Sequence, residues 1–100
     1  DLSQDHRLII RAEGPDREML HAMEALEKVK EVHALGEKEP GAYEFSVETQ
    51  PEEDVRRDLF ALMVRHGWPV LGLKNTDLTL EDLFLQLTST DTAAAGKGDN

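Results

Sequence analysis

The sequence predicts an α+β fold, in which a four-stranded antiparallel sheet carries two helices on one face and a further helix follows the last strand. Two apolar stripes at helical spacing each lie between segments in which apolar and polar residues alternate. Glycine and proline clusters separate these segments where turns are needed. The order strand, helix, strand, strand, helix, strand is the split βαβ, or ferredoxin-like, pattern.

Composition bounds the classes of protein that this chain can be. One hundred residues, of which 39% are hydrophobic, suffice for one domain with its own core but not for two. The net charge of −10 argues against nucleic acid as a partner, because a polyanion would be repelled. The chain has no cysteine and no run of 18 apolar residues, which argues against thiol chemistry and a transmembrane helix.

The first half of the chain predicts a strand, a helix and a hairpin. Residues 7–13 alternate, and residues 1–6 are expected to lead in from a missing upstream domain. The two faces of the strand are Leu8, Ile10 and Ala12 on one side and Arg7, Ile9 and Arg11 on the other. A helix is predicted over 16–29, with a stripe of Met19, Ala22, Met23, Leu26 and Val29. The hairpin is predicted from strands at 32–35 and 42–50, the second burying Tyr43, Phe45 and Val47.

The second half predicts a helix and a fourth strand. Proline and acidic residues at 51–54 favour a helix start, and Gly67 is placed to cap its end. The stripe of this helix is Val55, Leu59, Leu62, Met63 and His66. The strand is predicted over 70–74, with Leu71 and Leu73 on one face. The domain is predicted to span 7–89, with a disordered tail at 90–100.

The last helix carries the strongest local signals. Thr79 and Asp82 have the spacing of a capping box, and Leu78 and Leu83 that of a hydrophobic staple. Its apolar stripe must be buried, either on the domain's own sheet or on another chain or domain. We favour the domain's own sheet, where Ile9, Leu35 and Val70 are expected on the face opposite the two helices. The candidate interaction surface is Leu80, Leu83, Phe84 and Leu87 with Arg7, Ile9 and Arg11.

Catalytic, metal and nucleotide sites have little support in the residues. Gly96-Lys97-Gly98 lacks the remaining residues of a phosphate-binding loop, and it follows no predicted strand. The four histidines form no pair at metal-ligand spacing. An acylphosphatase would need a phosphate cradle after the first strand, but the acidic Glu13-Gly14-Pro15-Asp16 stands there. The aromatic residues of the third strand form its sole apolar face, so they predict core packing rather than RNA stacking.

One family resembles this chain in the order of four segments. They are YEFSVE at 43–48, EDVRRDLF at 53–60, GWPVL at 67–71 and LEDLFLQLT at 80–88. In this order they resemble the C-terminal accessory domain of the ATP-binding subunits of bacterial ABC exporters, the group that serves drug export, sodium export and gliding motility. The resemblance covers about residues 6–89 and is strongest after residue 42.

The resemblance implies a non-catalytic regulatory or docking domain without a cofactor of its own. The ATPase core, with its ATP and magnesium, would lie upstream in the same polypeptide. The implied partners are that core, a second ATP-binding subunit, the membrane-spanning permease subunits and, as a homodimer, a second copy. The implied location is the cytoplasmic face of the cell membrane, within the transporter complex. The alternative from the residues is a small-molecule-sensing, ACT-like domain, for which Gly14 before the first helix is a compatible signal.

Overall fold

A computed structural model describes residues 6–50 and 52–85. The elements are β1 (His6–Glu13), α1 (Asp16–Glu24), β2 (Val29–Glu39), β3 (Ala42–Thr49), α2 (Arg56–His66) and β4 (Val70–Thr76). A further helix, α3, is described over 80–85. Of the predicted lead-in at 1–6, residues 1–5 lie outside the described residues, and His6 already belongs to β1. The predicted tail at 90–100 and Leu87 also lie outside the described residues.

The four strands form one antiparallel sheet in the order β2-β3-β1-β4. The central strand β1 pairs with β3, placing Leu8 opposite Val47, and with β4, placing Ile10 opposite Leu73. Strands β2 and β3 form the predicted hairpin, closed by the turn at Gly41, where φ is +80°. The ferredoxin-like prediction is confirmed.

The main core lies between α1, α2 and one face of the sheet. Leu8, Ile10 and Ala12 point into it from β1, as predicted. From β3, Phe45 and Val47 are fully buried. Helix α1 contributes Met19 and Met23, and α2 contributes Leu59, Leu62 and Met63. The predicted stripes therefore face the same core, because each amphipathic element can bury its apolar side only there.

Helix α1 is shorter and β2 longer than predicted. The helix ends at Glu24, and Val29 already pairs with Thr49 of β3. The apolar spacing continues to Val29, since Leu26 and Val29 still pack against the core. Hydrogen bonds along the full length of β3 favour strand over helix here, so tertiary pairing overrides local periodicity. Similarly, β4 extends to Thr76, two residues beyond the prediction.

Strand β4 corrects two predictions about which face its residues occupy. Val70 packs against the main core beside Leu73, not on the opposite face. Leu71 does not share a face with Leu73, because it is 44% exposed. The cause is a register shift: Ala12 lies opposite Val70, but Arg11 lies opposite Gly72, so the ladder skips Leu71. An extra residue in one strand moves everything beyond it to the other face.

Helix α2 ends as predicted. Gly67 adopts a left-handed conformation with φ of +73°. The N–H of Trp68 donates to the carbonyl of Met63 at 2.9 Å, and that of Gly67 to Val64 at 3.1 Å. This is the arrangement of a Schellman motif, which glycine favours. His66, predicted in the stripe, is exposed instead.

Candidate interaction surfaces

The second face of the sheet is closed by the residues that follow β4. Ile9 and Leu35 project from this face, and Leu83 of α3 is buried against them. Leu78 and Leu80 pack around the same cluster. We call residues 77–85 the cover segment. The burial of Leu83 on the domain's own sheet confirms the destination that the sequence favoured.

The start of α3 is fixed by the predicted capping box. The N–H of Asp82 donates to Thr79 Oγ1 at 3.0 Å, and the N–H of Thr79 donates to Asp82 Oδ2 at 3.5 Å. The first helical hydrogen bond runs from the N–H of Leu83 to the carbonyl of Thr79 at 3.0 Å. These contacts direct Leu83 back toward the sheet, because they set where the helix begins.

A buried polar cluster lies beneath the cover segment. Arg7 is only 8% exposed, and its Nη1 donates to Ser46 Oγ at 3.1 Å. Its Nη2 lies 3.7 Å from Glu48, which is also 3.6 Å from Lys30 Nζ. The Nε of Arg7 donates to the carbonyl of Leu78 at 3.1 Å. One guanidinium therefore joins β1, β3 and the cover segment, with each of its contacts a charge-assisted hydrogen bond or ion pair.

Arg11 occupies a different part of this face. Its Nη2 and Nε contact Glu44 Oε2 at 2.8 and 3.1 Å, and its Nη1 contacts Glu39 at 2.6 Å. The hydrogen bonds to Glu44 and Glu39 raise the pKa of Arg11 above its ordinary value. Because both carboxylates come from the hairpin, this exposed cluster ties β1 to β2 and β3.

The residues of the candidate surface predicted from sequence thus do not form one surface: some are buried and others are exposed. Ile9 and Leu83 are buried against each other, and Leu80 is half-buried beside them. Arg7 is buried under the cover segment, whereas Arg11 remains partly exposed in its carboxylate cluster. Among the described apolar residues of the predicted surface, Phe84 faces outward, with 44% of its surface exposed.

A second apolar surface lies on the other side of the molecule, between α2 and β4. Phe60 is 50% exposed and Val64 is 79% exposed, one helical turn apart. Leu71 emerges beside them, because of the shift in β4. We call the depression between these residues the α2–β4 groove. Sequence reasoning missed it, although Phe60 and Val64 form an i, i+4 pair off the main stripe of α2, which was a usable signal.

Three adjoining cavities make up this groove. One of about 430 Å³ lies at the end of α2, between Val64, Trp68 and Val70. Another of about 390 Å³ runs along β4, from Val70 to Asn75. A third of about 290 Å³ lies beside Arg57 and Leu73. Phe60 lines all three, so its ring stands at the centre of the groove.

Trp68 closes the space beside the turn between β1 and α1. Its ring stacks on His66 with centroids 4.2 Å apart and an interplanar angle of 9°. Gly14 approaches the indole so closely that a Cβ there would lie 2.7 Å from Trp68 Cδ1. Gly14 also has φ of +154°, which favours glycine. The turn is therefore held by packing against the indole.

A polar recess of about 290 Å³ lies at the start of α2, lined by Glu52, Glu53, Asp54 and Arg56 among others. Asp54 Oδ2 pairs with Arg56 Nη2 at 2.8 Å, and Asp54 Oδ1 accepts the backbone N–H of Arg56 at 3.1 Å. These hydrogen bonds hold the pKa of Asp54 well below its usual range. The pair fixes the first turn of α2 from outside the helix.

Metal-ligating side chains do not gather in the part of the chain that the structure describes: no group of three or more His, Cys, Asp or Glu is placed to hold an ion. His33 instead contacts Glu31 at 2.8 Å on the surface. Gly96-Lys97-Gly98 lies outside the described residues. Among the described helices, none is long and apolar enough to cross a membrane.

No protein-family model matches the chain, and none of the curated proteins is similar to it at a significant level.

Proposed function

We propose that this domain is a non-catalytic docking and regulatory domain of an ABC exporter ATP-binding subunit. The observation that carries the proposal is the α2–β4 groove, an apolar depression in which Phe60, Val64 and Leu71 stay exposed. Exposed apolar depressions of this kind are typical of protein interaction sites. The order of the four segments that resemble this family supports an ABC exporter subunit as the parent protein.

The cover segment supports the same proposal. The LEDLFLQLT stretch begins in α3, where Leu83 completes the second core. Leu80 and Leu83 thus have a structural use within the domain, whereas Phe60, Val64 and Leu71 of the α2–β4 groove belong to neither described core. We infer that a partner, either the ATPase core or a second ATP-binding subunit, meets the domain at this groove.

The turn after β1 favours docking over small-molecule sensing. Sensor domains of this fold are expected to hold their ligand near the first loop, between paired domains. Here Trp68 fills the space against Gly14 and is itself stacked on His66. A thermal-shift screen of the chain against metabolites separates the two functions, because saturable stabilisation by one small molecule would favour the sensor.

The parent polypeptide provides the main test. We expect the reading frame upstream of Asp1 to encode an ATPase core, and removal of 6–85 from that subunit to change ATPase rate, transport or subunit pairing. Val64→Asp should reproduce the change, whereas Leu85→Asp, at an apolar site that is 57% exposed on the other face, should not. An upstream frame without an ATPase, or a deletion that leaves all three properties unchanged, would refute the proposal.

A further inference from the structure

Strand β4 offers an open edge to the α2–β4 groove. It is the terminal strand of the sheet on that side, and no described segment pairs with its outer edge. Every second backbone N–H and C=O of an edge strand points outward, so β4 presents unpaired donors and acceptors. The groove and this edge adjoin, since Val70, Leu71 and Leu73 line the cavity along β4.

The opposite edge of the sheet is protected in the ways that natural edge strands usually are. Strand β2 is interrupted by three register shifts against β3. Its exposed residues include Glu31, Glu37 and Glu39. Bulges and charges of this kind discourage pairing with another strand. By contrast, β4 has a single shift and one charged residue, Lys74.

The charge around the groove is opposite in sign to that of the whole chain. Helix α2 and strand β4 together carry four cationic residues, Arg56, Arg57, Arg65 and Lys74, and one acidic residue, Asp58. Arg56 is paired with Asp54, and Asp58 with Lys28. Arg57 and Lys74 line the cavities and form no ion pair within the described residues. A chain of net charge −10 therefore keeps a local excess of positive charge at this groove.

We propose that the α2–β4 groove binds an extended acidic segment of a partner protein, which joins the sheet as a strand beside β4. Backbone hydrogen bonds to β4 would hold the segment, and alternate apolar side chains would enter the cavities around Phe60. Its acidic side chains would meet Arg57 and Lys74 at the rim. The inference rests on the proposed docking function and names the chemistry of the partner.

Charge disfavours a second copy of the chain as the occupant. A two-fold symmetric pair formed through β4 would bring Arg57 and Lys74 of each copy toward the same positive rim of the other. Like charges brought together at an interface oppose its formation. An acidic partner gains from the same charges, and its association is faster at low ionic strength.

Two matched peptides test the proposal on the full 100-residue chain. One is a soluble ten-residue peptide in which valine alternates with glutamate, and the other replaces each glutamate with lysine. We expect the glutamate peptide to bind more tightly, with affinity that falls as salt rises. Amide chemical-shift changes in an NMR titration should concentrate in β4 and α2 rather than in β2 and the cover segment.

Charge-reversal variants sharpen this test. Arg57→Glu and Lys74→Glu should each weaken binding of the glutamate peptide by about threefold, as expected for exposed ion pairs. Arg17→Glu, on the exposed side of α1, is the matched control and should leave binding unchanged. Val64→Ser should weaken both peptides, since it removes apolar surface without changing the charge of the groove.

Four outcomes would overturn the proposal. They are equal binding of both peptides, no binding at millimolar peptide, shift changes centred on the cover segment, and outward β4 amides already protected from exchange in the free chain. The last would show that residues 86–100 or a second copy occupies the edge, and light scattering distinguishes these two. The proposed docking function is tested separately, by the upstream reading frame and by deletion of residues 6–85. Failure of the peptide experiments would therefore refute the strand-pairing proposal without refuting the docking function.

Discussion

Truncation of Leu83 tests whether the cover segment closes the second face of the sheet. Leu83 is 8% exposed and packs on Ile9 and Leu35. Leu83→Ala removes three carbon atoms, and at about 0.8 kcal/mol for each buried carbon the lost transfer free energy is about 2.4 kcal/mol. The cavity left behind adds little, because the cluster is small and lies at one edge of the molecule. We therefore expect a loss of about 2–3 kcal/mol, in the lower half of the range for buried leucines.

The loss also has an upper limit. The cover segment can detach while the main core stays folded, so the cost cannot exceed the free energy with which the segment docks. Urea denaturation followed by circular dichroism measures the change, and the unfolding midpoint should fall by roughly 10 °C or more in a thermal experiment. Leu85→Ala is the matched control, because Leu85 is 57% exposed on the same helix and should change stability by less than about 0.5 kcal/mol. Equal effects of the two variants would refute the packing described for α3.

The remaining predictions concern single contacts. Gly14→Ala should destabilise the domain by about 1–3 kcal/mol in urea denaturation, because the new Cβ would clash with Trp68 and the backbone has a positive φ. Gly72→Ala is the control and should be nearly neutral, since the space around Gly72 is open. Arg7→Met should lower the free energy of unfolding by about 1–3 kcal/mol in the same measurement, since it leaves the nearly buried carboxylate of Glu48 without its arginine. An unchanged free energy of unfolding would mean that the guanidinium does not hold the cover segment through the Leu78 carbonyl. The pKa of Asp54 is lower in the folded state than its ordinary value of 3.8, so its contribution to stability is complete well above pH 3.8 and is lost as pH falls below it. Thermal unfolding of wild type and Asp54→Asn should therefore differ by a constant amount above about pH 5 and converge toward pH 2, and a constant gap down to pH 2 would contradict this assignment.

Sequence periodicity predicted the fold because each amphipathic pattern had a single core to bury itself in. The alternation of Leu8, Ile10 and Ala12, the Gly67 cap and the Thr79–Asp82 capping box all depend on neighbours within a few residues. Local structure predicted from such contacts agrees with the global fold, so it is found again in the folded domain. The hairpin followed for the same reason, since its turn residues adjoin the alternating strand at 42–49.

The errors arose where pairing between distant segments decided the outcome. Helix α1 was predicted too long because the pairing of Val29 with β3 cannot be seen in the helical spacing. The faces of Val70 and Leu71 were reversed because a strand with an extra residue departs from strict alternation. Part of the α2–β4 groove was missed for the same reason, since the cavity along β4 lies where the register shift exposes Leu71 beside Phe60.

The position of the cover segment in the chain also fixes the order in which the two faces of the sheet can be completed during synthesis. Both main helices and the last strand precede residue 77, so the residues of the first core leave the ribosome before α3 does. Until Leu83 emerges from the ribosome, Ile9 and Leu35 face water on a finished sheet, and Arg7 has no Leu78 carbonyl to bind. The nascent domain therefore passes through a state with one apolar face uncovered, the kind of surface on which chaperones act.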